Sequence, residues 1–66
     1  MSKPNFFPEA LEATIEEPVY PGSRGRIRCH GIFYRAEMYC ADGHLLCPGE
    51  RVYMVGIRDN VALIKP

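Results

Sequence analysis

The stretch Arg24-Gly25-Arg26-Ile27-Arg28-Cys29-His30-Gly31-Ile32-Phe33-Tyr34-Arg35-Ala36-Glu37-Met38-Tyr39-Cys40 decides the fold. Successive side chains of a strand point to opposite faces. In the first half Gly25, Ile27 and Cys29 fall on one side, and Arg24, Arg26, Arg28 and His30 fall on the other. In the second half Ile32, Tyr34, Ala36, Met38 and Cys40 oppose Phe33, Arg35, Glu37 and Tyr39. Gly31 separates the two runs, so the stretch is either two strands or one long strand bent at Gly31. In both cases one face is basic.

Upstream, Ala13 and Ile15 alternate with Thr14 and Glu16. This pattern predicts a strand over residues 11–17, although Glu9, Ala10, Leu11, Glu12 and Ala13 favour a helix locally. Pro18 and the Pro21-Gly22 pair end that strand, because proline gives up a ladder donor and Pro-Gly suits the centre of a type II turn. Residues 1–10 read as a short flexible N-terminal arm, with Phe6 and Phe7 able to fold back over the core, and residues 11–66 read as the folded domain. Downstream, Ala41-Asp42-Gly43-His44 is a turn, Leu45-Leu46 returns the chain to the core, and Cys47-Pro48-Gly49 turns it again. Val52, Met54 and Val55 mark a fourth strand, and Arg58-Asp59-Asn60 connects it tightly to a fifth over Val61 to Ile64. Five short strands in so small a chain hide their edges best by closing into a barrel. The expected fold class is all-β, a small five-stranded barrel.

With 66 residues there is room for one domain with a thin core. The chain is 47% hydrophobic and 24% charged, which is the composition of a folded domain and not of a disordered tail. Net charge is zero, so the molecule as a whole exerts no pull on nucleic acid or anionic lipid. The charge is unevenly spread, however. Residues 1–22 hold Glu9, Glu12, Glu16 and Glu17 against Lys3, and residues 23–66 hold seven Arg or Lys against Glu37, Asp42, Glu50 and Asp59. No run approaches the ~20 apolar residues of a membrane helix, so direct insertion is not expected. Three cysteines and a start without an apolar signal region predict a reducing, cytoplasmic setting.

Gly25-Arg26-Ile27, Gly31-Ile32-Phe33-Tyr34-Arg35-Ala36, Leu46-x-x-Gly49-x-x-Val52-x-Met54-Val55-Gly56 and Leu63-Ile64-Lys65-Pro66 together resemble the C-terminal OB-fold domain of NfeD-like proteins. The resemblance spans residues 12–66. It departs from the family at Tyr34, where tryptophan is common, and in its three cysteines. It implies an OB barrel with Tyr34, Ala36, Leu46 and Val52 turned inward. It also implies an interaction module for stomatin- or flotillin-type membrane-associated proteins, and it brings no catalytic residue, because the protease-like portion of the family has no counterpart in these residues.

Each chemical possibility has a plainer competitor. Phe33, Arg35 and Tyr39, if outward and uncovered, form an apolar patch with a charged rim, the composition of a protein-binding surface or of a contact between two copies of the chain. Arg24, Arg26 and Arg28 beside those aromatics match the charge-plus-stacking design of single-strand nucleic-acid binders, against the plainer role of edge protection. Cys29, His30, Cys40, His44 and Cys47 carry soft donors suited to Zn²⁺, but the cysteines are separated by ten and six residues and form no close-spaced knuckle, so no metal and no other cofactor is expected. A catalytic cysteine is not expected either: Cys29 and His30, as neighbours on a strand, diverge, and no third group orients a base. The expected function is non-enzymatic.

Overall fold

The computed structural model describes residues 3–39 and 45–66. It is all-β, with β1 (Asn5–Glu17), β2 (Gly25–Cys29), β3 (Ile32–Met38), β4 (Arg51–Arg58) and β5 (Val61–Lys65). The strands close into a barrel in the order β1-β2-β3-β5-β4. All neighbours run antiparallel except β3 and β5, which are parallel. The expected small, OB-like five-stranded barrel is therefore the observed fold.

The stretch around Gly31 is a hairpin. Cys29 pairs with Ile32 across the two-residue turn His30-Gly31, whose φ values are 53° and 79°. Two successive positive φ angles give the mirror-image turn that matches strand twist. The same device joins β4 to β5 through Asp59 and Asn60, with φ values of 52° and 64°. Between β1 and β2, the Ser23 N–H donates to the Tyr20 carbonyl at 2.9 Å across Pro21-Gly22, with Gly22 at φ 80°, the type II turn expected there.

Alternation sorts the side chains as the sequence predicts over most of the wall. Ala13, Ile15, Ile27, Cys29, Ala36, Leu46, Val52, Met54, Ala62 and Ile64 form the core, with Val19 from the β1–β2 connection, and Tyr34 and Met38 pack against it. Burying a Leu- or Ile-sized side chain contributes roughly 1.5–3 kcal/mol, and few such side chains are available, so each one counts. Two expectations fail at the rim. Ile32 is 55% exposed because it stands at the hairpin tip, above the wall, and Leu45 is exposed while only Leu46 enters the core. His30 also leaves the face assigned to it, since β2 ends at Cys29 and His30 belongs to the turn.

The largest correction concerns residues 5–10, which are not a free arm. β1 starts at Asn5, and Asn5 and Phe6 pair with Ile57 and Gly56 of β4. Pro8 is accommodated because the register slips between Phe6 and Leu11, where its missing N–H interrupts nothing. Gly56 makes the approach possible: a Cβ there would lie 2.6 Å from the Asn5 carbonyl oxygen. The radius of gyration, 10.5 Å, is close to the roughly 11 Å of a compact chain of this length, as a docked N-terminus requires.

Candidate functional site

The β2–β3 hairpin builds the site. Its two-residue turn fixes the pairing as Arg28↔Phe33 and Arg26↔Arg35. Cys29↔Ile32 closes the turn as a hydrogen-bonded pair, so alternation makes the next pair, Arg28↔Phe33, and likewise Arg26↔Arg35, non-hydrogen-bonded. Side chains approach most closely in such pairs, with Cβ atoms about 4.5–5.5 Å apart. Arg26 and Arg35 are thus direct cross-strand neighbours, on the same face as an aromatic side chain that is 57% exposed. A shallow groove of about 540 Å³ runs along them, bordered by Glu17, Arg24, Arg26, Phe33, Tyr34 and Arg35.

The arginines differ in what they already hold. Arg24 gives its Nε–H to Glu37 at 3.4 Å, and Arg58 reaches the other carboxylate oxygen of Glu37 at 2.7 Å. Arg26 lies 3.9 Å from a Glu17 oxygen, a loose pair with both side chains more than half exposed. Arg28 and Arg35 have no ion pair among the described residues. One strand away, Thr14 of β1 pairs with Arg28 on one side and Arg51 on the other, which extends the cationic row to β4.

The patch expected from Phe33, Arg35 and Tyr39 is divided. Phe33 and Arg35 share the hairpin face, whereas Tyr39 lies beyond the end of β3, with its ring edge-on to Phe6 at a centroid distance of 5.3 Å. The basic set of Arg24, Arg26 and Arg28 keeps Arg26 and Arg28 on that face, and Arg24 is tied into the Glu37 pair. Sequence reasoning missed the Arg26–Arg35 apposition. The signal was present: once His30-Gly31 is taken as a two-residue loop, partners have numbers that sum to 61, which matches 26 with 35 and 28 with 33.

The donors considered for a metal do not converge. The Cys29 thiol is buried and points to the Glu12 carbonyl oxygen at 3.5 Å, His30 is exposed on the hairpin turn, and Cys47 is exposed in a separate turn, where its N–H donates to the Glu50 carboxylate. Among the described residues no group of three potential ligands comes together. Cys40 and His44, with the turn expected over residues 41–44, lie outside the described residues. Burial raises the Cys29 pKa above that of a free thiol, which disfavours the nucleophilic thiolate.

No described helix is long and apolar enough to cross a membrane. Compared with protein-family models, curated proteins and solved structures, the chain matches none.

Proposed function

We propose that this chain is a non-catalytic cytoplasmic interaction module, similar to the OB domain of NfeD-like proteins, that binds a protein partner of the stomatin or flotillin type through the outer face of β2 and β3. The observation that carries the reading is Phe33, an uncovered aromatic ring on a rigid hairpin, flanked by Arg35, which has no ion pair among the described residues. An aromatic anchor beside arginine is the composition of an interface hot spot. The test uses isothermal titration of the purified chain with the purified soluble domain of a stomatin-type protein from the same organism. Micromolar or tighter binding that Phe33→Ala and Arg35→Ala each weaken at least tenfold supports the reading. Absence of binding, or binding that neither substitution changes, refutes it. Sedimentation of the chain alone separates partner binding from self-association through the same face.

A second reading is single-stranded nucleic acid on the same surface. It is favoured by Arg26, Arg28 and Arg35 sharing one sheet face with the exposed Phe33. Fluorescence anisotropy with a labelled oligonucleotide at two salt concentrations tests it. Binding that weakens with salt and disappears in the Arg26→Ala, Arg28→Ala double variant would favour it over the first.

A further inference from the structure

Although the barrel is closed, one of its seams is short. β3 pairs with β2 from Ile32 to Ala36, but with β5 only from Ala36↔Ala62 to Met38↔Ile64. The Tyr39 N–H donates to the Ile64 carbonyl, so the odd-numbered residues of β3 turn their backbone groups toward β5. Phe33 and Arg35 have that parity. Next to them β5 has not yet begun, because the Asp59-Asn60 turn leads the chain back to β4. Among the described residues, the Phe33 N–H and C=O and the Arg35 N–H therefore have no partner strand.

We infer that the free edge of β3 at Phe33–Arg35 receives an extended, acidic segment of a partner protein as an added strand. The inference rests on the protein-binding reading above and specifies how the partner is held. An added strand lies ~4.8 Å from β3, and its alternate side chains stand beside Phe33 and Arg35 on the outer face. Like charges directly opposite each other are destabilising, so the Arg26–Arg35 apposition favours a carboxylate arriving on the open side of Arg35. An apolar residue on the same strand face completes the contact with Phe33. A nucleotide chain meets the arginines equally well but has no peptide groups with which to continue the ladder. That difference makes the edge selective for protein.

Amide hydrogen exchange followed by NMR on the isotope-labelled chain tests this. The probe is a capped nine-residue peptide in which Glu alternates with Val, and the control is the same peptide with Lys in place of Glu. The Glu peptide is expected to slow exchange at the Phe33 and Arg35 amides at least tenfold while leaving Tyr34, already bonded to β2, unchanged. Phe33→Pro removes a donor that faces away from β2 and is expected to weaken binding about tenfold or more. Arg35→Ala, which leaves the backbone intact, gives an independent loss of about tenfold. Three outcomes overturn the inference: equal binding of the Lys peptide, chemical-shift changes without slowed exchange at those amides, or no binding of the Glu peptide. If one of these occurs while the stomatin-type domain still binds in a Phe33-dependent way, only the strand addition is wrong. If that domain also fails to bind, the protein-binding reading falls with it.

Discussion

Arg58, at the end of β4, sets its guanidinium 2.7 Å from the carboxylate of Glu37 on β3, joining two strands that are not neighbours in the barrel. Arg24, just before β2, holds the other oxygen of the same carboxylate at 3.4 Å. One half-buried acid thus ties together the chain entering β2, the middle strand of the hairpin face and the turn that leads into β5. Its removal should loosen that end of the barrel. Glu37→Gln is expected to cost up to about 1 kcal/mol, the upper range for partly exposed pairs, and the loss should shrink in high salt. Urea denaturation at two ionic strengths measures both.

His30 adopts φ 53° at the first central position of its turn, where Asn or Gly is usual. Left-handed backbone costs a non-glycine residue about 1 kcal/mol, and asparagine tolerates it better. His30→Gly should raise the thermal midpoint by several degrees for a domain of this size, without altering the barrel. A lower midpoint would show that the imidazole makes a contact worth more than the strain.

Gly56 lies under the backbone of Asn5, with room for hydrogen only. Gly56→Ala should push Asn5 and Phe6 off β4, destabilise the fold by about 1–3 kcal/mol and raise protease sensitivity before Leu11. Limited proteolysis with mass spectrometry locates the cut. A variant cut no faster than the parent would mean that the N-terminal end of β1 shifts without detaching.

Cys29 and Cys47 should differ sharply toward alkylating reagents at neutral pH. Cys47 is exposed, while Cys29 is buried with its pKa raised by desolvation, so peptide mapping should find Cys47 modified first. The shift also sets a sign. The unfolded chain releases its thiol proton at a lower pH than the folded chain. Stability is therefore intact below the ordinary thiol range and falls as pH rises from that value toward the folded one. Cys29→Ala should remove this alkaline decline while lowering stability at neutral pH. Persistence of the decline in the variant would assign it to another group.

The walls formed by β2, β3 and β4 were legible because period-two alternation is a local signal, and Ile27, Cys29, Ala36, Val52 and Met54 all fall where it puts them. The sequence by itself permits either a hairpin of two strands or one bent strand, because His-Gly is not the usual turn pair and Gly31 alone allows a bend. Residues 5–10 misled because Pro8 reads as a break, and nothing local reveals that the register slips around it. The Glu37 pairing was out of reach altogether. It depends on the parallel alignment of β3 with β5, a non-local choice that leaves no pattern in either segment. For the site, residue types showed which side chains would be outward. Only the register showed that Tyr39 parts from Phe33 while Arg26 meets Arg35.

The seam between β1 and β4 fixes when this molecule can exist. Thr14 waits for Arg51 and Asn5 waits for Ile57, so β1 stays unpaired along that side for seconds at ordinary translation rates. Closure must follow synthesis of nearly the whole domain, and the early β1–β2–β3 meander is held meanwhile only by its own two turns and the ladders they join. A nascent chain stalled before Arg51 would present that meander with its inner face bare, a natural substrate for chaperones.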